Sequence, residues 1–304
     1  MSAPPLRSAS ALVILNARSG AGRGPEGADT LRELLTSAGV AAQVLLAGDG
    51  DDLLRAVDRA LAAGTRLVVA AGGDGTQSAV ASRLVGTDAV QGVLPMGTLN
   101  HFAKDLGVPL KLEEAVRVLA AGRVLHVDVG EVNGRVFINN SSIGLYPQIV
   151  RERELQQLRL GKGKWRALAS ATLHATQGRP ALAVRVEAQG EAEVRRTPFV
   201  FIGNNRYTME GFRIGARESL QQGELSLYMG RRRGRLGMVA LALRALAGRL
   251  RQAEDFDMVS GPAFVVDTGE ARVRVATDGE VAMMDTPLHY RLRPAALRVM
   301  VPAG

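Results

Sequence analysis

The residues best suited to chemistry lie at 72–76, where the sequence GGDGT directly follows an apolar run at 67–71. Glycines let the backbone approach a ligand closely, and successive N–H groups in such a turn bind a phosphate. A helix beginning near Thr76 would add the positive end of its dipole. Since like charges repel, Asp74 is predicted to share a Mg²⁺ ion with the phosphate or to accept a proton. The run therefore predicts phosphoryl chemistry on a nucleotide. The alternative is an ordinary strand-to-helix turn with Asp74 as N-cap.

A second glycine-rich loop follows the first predicted strand and contains Asn16, Ser19 and Gly20. These residues could hold nucleotide phosphates, but no Lys-Ser or Lys-Thr pair follows them, so the loop is not a P-loop. The sequence at 22–27 also matches the G-x-G-x-x-G pattern of dinucleotide-binding folds, although this match includes Pro25. A ligand-binding loop and a structural turn both remain open here.

A third loop, with the sequence PMGTLNHFA at 95–103, closes the fourth predicted strand. The N–H groups of Gly97 and Thr98 could face a second phosphate or the ribose of a nucleotide. The alternative is that Thr98 only caps the helix that follows.

Two further acidic positions lie in the second half of the chain. Asp128 is flanked by valine on both sides, so its carboxylate needs a partner or a cation unless it faces water. The sequence DGE at 278–280 again places acids around a glycine, and a hairpin turn is its default interpretation.

The composition limits the kinds of site that the chain can form. The absence of cysteine excludes disulfides and thiolate metal sites, and four scattered histidines make a zinc site a poor fit. Any metal is therefore expected to be a hard cation held by oxygen. The formal net charge of +8 favours an anionic partner such as a nucleotide or an anionic lipid headgroup. No basic tract is interleaved with aromatic residues, so we expect no nucleic-acid partner.

The sequence also bears on membrane association. The first ten residues lack the apolar core of a signal peptide, and the segment 236–247 is too short to span a bilayer. We therefore expect a cytoplasmic protein. The triplet Arg231–Arg233 precedes an amphipathic segment at 235–251, which could lie on an anionic membrane surface or form a solvated face of a packed helix.

The elements that must position these residues differ between the two halves of the chain. Strands and helices alternate in the first half, which predicts a parallel sheet with ligands beyond the carboxyl ends of its strands. The predicted strands are at 12–15, 40–46, 66–70 and 90–94, and the predicted helices are at 28–37 and 51–63. The first of these helices carries a capping-box pattern, Thr30 with Glu33.

Beyond about residue 124, short strands and hairpin turns such as Asn133-Gly134 and Asp278-Gly279 predict a mostly antiparallel β-sandwich. Helical patterns interrupt it at 149–177 and 235–251. We therefore predict an α/β domain at 1–126 and a β-sandwich domain at 127–289, with the tail at 290–304 packing back on the first.

Together the motifs resemble the catalytic family of diacylglycerol kinases, which also includes sphingosine kinases and bacterial lipid kinases. The matching pieces, in the family's order, are Asn16-x-x-Ser19-Gly20, the GGDGT run, Pro95-x-Gly97-Thr98-x-Asn100-x-Phe102-Ala103, Asp128-x-Gly130, Asn139-x-x-Ser142-x-Gly144, Gly203-Asn204-Asn205 and Asp278-Gly279-Glu280. GGDGT alone is shared with NAD kinases, whereas its combination with the third loop is much more specific.

The resemblance implies a phosphofructokinase-like N-terminal α/β domain and a C-terminal β-sandwich domain, with ATP and lipid meeting in the cleft between them. Asp74, and with it Asp128, would organise Mg²⁺. Glu280 would be the general base on the lipid hydroxyl, with Asp278 supporting it. The residues implied to bind ATP are Asn16, Ser19, Gly20, Gly72, Gly73, Asp74, Gly75, Thr76, Gly97, Thr98 and Asn100.

The chain departs from the family pattern at Gln221 and Gln222, where an acidic residue and a glycine are common and support a structural Mg²⁺ in some members. A neutral amide is a poor Mg²⁺ ligand, so we do not expect that structural metal site here.

The leading expectation is an ATP- and Mg²⁺-dependent kinase of diacylglycerol or a related lipid that contacts anionic membranes peripherally. An NAD-kinase-like enzyme with a soluble substrate and a catalytically silent nucleotide or lipid sensor are the alternatives. The identity of the lipid and the formation of a homo-oligomer stay open.

Overall fold

A computed structural model describes residues 11–17, 25–144, 182–188, 190–197, 199–210, 213–230 and 256–303. Several sequence predictions lie outside these residues: those for Ser19 and Gly20, for Arg231–Arg233, and for the helices at 149–177 and 235–251. The chain divides into two compact units, unit 1 with Met1–Val129 and Arg293–Gly304, and unit 2 with Gly130–Leu292. The predicted domain boundaries themselves stay a prediction.

Unit 1 is an α/β unit in which strands and helices alternate. Its elements are β1 (Ala11–Asn16), α1 (Pro25–Ser37), β2 (Ala42–Ala47), α2 (Gly50–Ala62), β3 (Leu67–Gly72), α3 (Asp74–Leu84), β4 (Val90–Pro95), α4 (His101–Asp105) and α5 (Leu112–Ala121). The strands run parallel in the order β2-β1-β3-β4. All residues of β3 and β4 are buried, as the central strands of a parallel sheet require.

The start of α1 differs from the prediction. The helix begins at Pro25 rather than near residue 28, because proline suits the first helical position, where its missing N–H costs no hydrogen bond. Thr30 is therefore an interior residue, and its hydroxyl donates to the carbonyl of Glu26. The predicted capping box at Thr30 and Glu33 is wrong.

Unit 2 is built from antiparallel strands. Strand β5 (Arg123–Val132) leads into it, and the further strands are β6 (Arg135–Phe137), β7 (Asn140–Gly144), β8 (Leu182–Ala188), β9 (Glu191–Thr197), β10 (Phe199–Asn204), β11 (Tyr207–Glu210), β12 (Arg213–Arg217), β13 (Leu225–Gly230), β14 (Phe256–Gly261), β15 (Ala263–Asp267), β16 (Arg272–Thr277), β17 (Glu280–Asp285) and β18 (Leu288–Val301).

Two sheets of unit 2 enclose one apolar core. One sheet has the order β14-β13-β10-β7-β16-β17, and the other contains β9, β8, β15 and the beginning of β18. Side chains of both sheets, such as Ile143 and Val275 from the first and Phe264 and Leu288 from the second, belong to the same buried cluster. Two packed antiparallel sheets around one core form a β-sandwich.

The predicted fold class is confirmed, with a mostly parallel α/β unit and an antiparallel β unit. Both predicted hairpin turns are also confirmed. Asn133-Gly134 and Asp278-Gly279 have positive φ at both residues, which is the geometry of a type I′ turn. Within the residues that the structure describes, none of the helices is sufficiently long and apolar to cross a membrane.

Candidate active site

The GGDGT turn joins the end of β3 to the start of α3 in unit 1. Gly73 is the N-cap of α3, in extended conformation and without a side-chain cap. The first helical hydrogen bond runs from the Gln77 N–H to the Gly73 carbonyl at 3.1 Å. The N–H groups of residues 74–76 precede it and have no partner within the helix. A Cβ at Gly75 would meet nothing within 4 Å, so the backbone is open to a ligand. This arrangement suits an anion.

The loop after β4 lies directly against this turn. A Cβ on Gly97 would come 2.4 Å from the Cα of Gly73, so the two backbones touch at their glycines. Gly72 pairs with Pro95 across the parallel strands, and the Met96 N–H donates to the Gly72 carbonyl at 3.1 Å. The structure therefore brings two of the three predicted loops together at the carboxyl end of adjacent strands.

Asp74 links the same two loops through its side chain. Its Oδ1 accepts a hydrogen bond of 3.1 Å from the Phe102 N–H at the start of α4. The residue is half-buried, and the described residues make no hydrogen bond to its Oδ2. The carboxylate is thus oriented by one backbone amide and keeps one oxygen for a further interaction.

Asn16 reaches the same turn from the end of β1. Its Nδ2 donates to the Thr76 Oγ1 at 3.0 Å. Thr76 is buried, and its side chain fills the space where a Cβ of Gly72 would lie, at 2.4 Å from that position. Glycine is therefore required at 72. Asn16 and Thr76 therefore stabilise the turn, and a contact of Asn16 with a nucleotide would be an additional role.

Thr98 does not cap α4, contrary to one interpretation of the third loop. The N-cap residue is Asn100, which adopts a left-handed conformation with φ of 51°. Its side chain closes the loop on Gly97, accepting from the Gly97 N–H at 3.0 Å and donating to the Gly97 carbonyl at 2.8 Å. The Gly97 N–H is therefore used within the loop, whereas Thr98 is exposed.

Asp128 is buried at 4% exposure, and its Oδ1 accepts from the Ala295 N–H at 2.9 Å. Asp128 therefore binds the backbone of β18 through one carboxylate oxygen. Across the described residues, no group of three or more His, Asp or Glu side chains is arranged to hold a metal ion.

Asp278 in unit 2 is anchored by three backbone amides. Its Oδ2 accepts from the Ile138 N–H at 2.8 Å, and its Oδ1 accepts from the N–H groups of Asn139 and Asn140 at 2.8 and 3.0 Å. The Asp278 N–H in turn donates to the Asn140 carbonyl at 2.9 Å. The side chain thus fastens the β16–β17 turn to the β6–β7 segment.

The buried guanidinium of Arg217 holds the other side of that segment. It donates to the Ile138 carbonyl at 2.7 Å, to the Asn204 carbonyl at 3.1 Å and to the Asn139 Oδ1 at 2.8 Å. The segment that anchors Asp278 is therefore fixed from both sides. The sequence motifs pointed to Asn139 and Asn204 but gave no signal for Arg217.

Glu280 follows this turn and is exposed. Its Oε2 lies 2.6 Å from the Arg135 Nη2, and the two side chains are 66% and 38% exposed. Sequence reasoning missed Arg135, because the pair is 145 residues apart and no motif includes it. The pairing of β7 with β16 and the contact of Asp278 with Ile138 bring the two residues together.

Gln222 makes two hydrogen bonds to neighbouring residues. Its Oε1 accepts from the Arg206 N–H, and its own N–H donates to the Asn205 Oδ1, both at 2.9 Å. Hydrogen bonds therefore link Gln222 to residues 205 and 206, at the position where the resemblance implies an acidic residue.

Comparisons with known proteins agree with these features. Residues 10–132 match the family described as the diacylglycerol kinase catalytic domain. Residues 146–301 match the family described as the YegS C-terminal NAD kinase beta sandwich-like domain. The second match covers about half of the chain, and the two matches together cover most of it.

Individual relatives extend this result. A protein of Escherichia fergusonii named "Probable lipid kinase YegS" is 28% identical over 96% of this chain and 95% of its own. An Enterobacter protein named "Probable lipid kinase YegS-like" is 35% identical over 46% of this chain and 48% of its own. The crystal structure of a diacylglycerol kinase from Bacillus anthracis has a TM-score of 0.69 at 19% identity, over 96% of both chains, which shows a shared fold. With both family matches in chain order, this chain belongs to the family that has a YegS-type C-terminal domain and carries a diacylglycerol kinase catalytic domain before it.

Proposed function

We propose that the chain transfers the γ-phosphate of ATP, with Mg²⁺, to a hydroxyl of diacylglycerol or a related lipid. The observation that carries the proposal is the open helix N-terminus at Gly75, with the Asp74 carboxylate held beside it by the Phe102 amide. Backbone amides and a helix dipole favour phosphate groups there, while a carboxylate suits the cation that accompanies them.

The nucleotide is assigned to unit 1. The N–H groups of residues 74–76 would bind phosphate oxygens, and the glycine contact between residues 73 and 97 brings the third loop beside them. Asn16 and Thr76 hold the turn, and Asn100 holds the third loop. Exposed Thr98 would contact ATP through its hydroxyl. Ser19 and Gly20 would extend the site from the first loop.

The residues of unit 1 fit a Mg²⁺ ion that arrives with ATP. Mg²⁺ usually keeps several waters and binds one or two carboxylates together with substrate phosphates. Such an ion does not require the three-ligand cluster that the described residues lack. Asp74 would hold it through the oxygen that Phe102 leaves available, and Asp128 would contribute at most its second oxygen. The ion would neutralise charge on the transferred phosphoryl group.

Glu280 is assigned as the general base that accepts the proton of the lipid hydroxyl. In the reaction, the lipid hydroxyl oxygen bonds to the γ-phosphorus, the bond from that phosphorus to the β–γ bridging oxygen breaks, and ADP leaves. The hydroxyl proton passes to the Glu280 carboxylate as general base. Asp278 would support this role by fixing the turn that carries Glu280.

A lipid substrate implies contact with a membrane surface. The net charge of +8 supports electrostatic binding of a cytoplasmic enzyme to anionic lipid, and the basic segment at 231–251 would contribute to it. If vesicle binding is unaffected by salt, the electrostatic part of this proposal is wrong.

The direct test is transfer of labelled γ-phosphate from ATP and Mg²⁺ to a panel of lipids in mixed micelles, with NAD and a no-acceptor reaction alongside. The panel contains diacylglycerol, monoacylglycerol, sphingosine, ceramide and phosphatidylglycerol. Label in an organic-extractable product supports the proposal and identifies the lipid. Label in NADP instead would assign the chain to NAD phosphorylation. Absence of label in every acceptor, with ATP still bound, would favour the silent sensor.

A further inference from the structure

The ion pair between Arg135 and Glu280 joins two strands that are distant in sequence but share one anchor. Arg135 begins β6, and three residues later the Ile138 N–H binds the Asp278 carboxylate. Glu280 begins β17, two residues after Asp278. Both partners therefore extend from the same fastened point in unit 2.

That shared anchor distinguishes this pair from an ordinary surface ion pair. Exposed pairs usually contribute little, because two long side chains must be ordered against solvent. Here the backbone of Glu280 is fixed by pairing with Thr277 across the turn, and that of Arg135 by pairing with Val132. With both backbones fixed, the guanidinium restricts the Glu280 side chain to a small set of rotamers.

The contact also differentiates the two oxygens of Glu280. The Arg135 Nη2 is 2.6 Å from Oε2, so a charge-assisted hydrogen bond occupies that oxygen. Oε1 is then the oxygen that can receive a proton from a hydroxyl. We infer that Arg135 is a positioning residue, which holds the Glu280 carboxylate by Oε2 so that Oε1 faces the lipid hydroxyl.

This inference rests on the proposed function, because it assigns a role toward the proton transfer proposed for Glu280. Its consequences concern the chemical step rather than nucleotide binding, which is assigned to unit 1. A small displacement of a catalytic group lowers the rate strongly even when every chemical group remains present.

The test compares Arg135→Ala, Arg135→Lys and Glu280→Gln with the unaltered chain in the lipid phosphorylation assay. We expect Arg135→Ala to lower kcat by at least about tenfold. The KM for ATP should stay within about twofold, since no ground-state contact to the nucleotide is removed. Arg135→Lys should retain part of the rate, and guanidinium chloride at a non-denaturing concentration should partly restore Arg135→Ala. A merely structural role would lower kcat together with the midpoint of thermal unfolding, whereas positioning lowers kcat in a variant that remains as stable as the unaltered chain.

The matched control is Arg272→Ala on the same hairpin. Arg272 pairs with Asp285 at 3.1 Å through a contact that is more exposed than that of Arg135 with Glu280, so its loss tests the removal of a surface ion pair as such. Its kcat should remain within about twofold of the unaltered chain. Thermal unfolding of all variants verifies that each one is folded.

The outcomes separate this inference from the proposed function. Normal turnover of Arg135→Ala together with loss in Glu280→Gln would overturn the positioning role and leave the kinase proposal intact. A loss in Arg135→Ala that neither lysine nor guanidinium restores would also overturn it. Normal turnover of Glu280→Gln would overturn the assignment of the base, and with it the role of Arg135. An unaltered chain that phosphorylates no lipid would overturn the proposed function itself.

Discussion

The turn at Asp74 in unit 1 and the turn at Asp278 in unit 2 both place an aspartate beside glycine, yet they use the carboxylate differently. Asp278 accepts three backbone amides through its two oxygens. Asp74 accepts one, from Phe102, through Oδ1. The hairpin carboxylate is thus occupied by the fold, whereas the one at the helix start retains binding capacity.

The backbone explains this difference. Asp278 has a φ of 49° in a tight hairpin, so its side chain lies over the neighbouring β6–β7 segment and satisfies amides there. Asp74 begins a helix after a wholly buried parallel strand, where the first amides point outward without helical partners. In this chain the acidic glycine turn that closes a hairpin is a structural anchor, whereas the one that opens a helix keeps a carboxylate oxygen and backbone amides available to a ligand.

Asp74→Asn tests this comparison with the largest expected effect, which is a loss of turnover. The amide can still accept from the Phe102 N–H but is a poor Mg²⁺ ligand, so kcat should fall by about 10²- to 10³-fold. The free energy of unfolding should change by less than about 1 kcal/mol. Urea denaturation and the lipid phosphorylation assay measure the two quantities.

Asp58→Asn is the control for that substitution, since Asp58 is exposed and pairs with Arg83 on the surface of unit 1. It should match the unaltered chain in both measurements. Turnover of Asp74→Asn at the unaltered rate would contradict the assignment of Asp74 to the phosphoryl-transfer site.

Asp278→Ala should act mainly on stability. It leaves three amides without their acceptor and places alanine at positive φ, so the free energy of unfolding should fall by about 2–4 kcal/mol. Asp278→Asn keeps one acceptor and tolerates this φ, and it should lose roughly half as much. Urea denaturation checks both variants. A loss as small as that of Asp74→Asn would remove the distinction between the two turns.

A smaller effect is expected at Tyr290, which lies beside the same anchored segment. Burial raises the pKa of Tyr290 well above its ordinary value, and its hydroxyl is 3.1 Å from Ser141 Oγ. The raised pKa means that folding favours the neutral phenol. The contribution of Tyr290 to the free energy of unfolding is complete below about pH 10. It is lost as the pH rises further, by up to about 1.4 kcal/mol per pH unit.

Urea denaturation between about pH 9 and about pH 11, a range centred on the ordinary tyrosine pKa, measures this dependence. The free energy of unfolding should fall more steeply with pH in the unaltered chain than in Tyr290→Phe. Removal of the Ser141 contact should cost the variant about 1 kcal/mol at neutral pH. Equal slopes would show that water reaches this part of unit 2.

The sequence predicted the strands and glycine turns that carry strong local signals. The wholly apolar strand β3 and the GGDGT turn are examples, because a buried parallel strand and a glycine-rich end leave few alternatives. The type I′ turn at Asp278-Gly279 is another, since aspartate and glycine tolerate positive φ. In these places local chemistry determines the structure.

Of the strands that were not predicted, β9, β14 and β17 lie at the edges of their sheets, β11 and β12 form a separate pair, and β7 lies inside its sheet. An edge strand has one neighbour and tolerates charged and exposed residues, so β9 has the sequence EAEVRRT and is mostly exposed. Its alternation is limited to Ala192 and Val194, which is too short to identify a half-buried strand.

Two side-chain contacts were also not predicted from the sequence. The Asn100 side chain closes on Gly97, which shifts the helix cap away from Thr98. The pairing of Arg135 with Glu280 depends on strand register over 145 residues. The first contact spans only three residues and competes with the cap predicted at Thr98, whereas the second becomes evident only from the assembled strands.

The most direct test of the central claim is titration of Mg²⁺-ATP into the unaltered chain, Gly75→Ala and Gly50→Ala. A Cβ at either glycine meets nothing within 4 Å, and both residues lie in the first turn of a helix, so neither change should harm the fold. The account predicts that Gly75→Ala weakens ATP binding by at least about tenfold, because its methyl group occupies the space where a phosphate approaches. Gly50→Ala should bind ATP as the unaltered chain does. Equal affinity in all three would contradict the assignment of the GGDGT turn as the phosphate site.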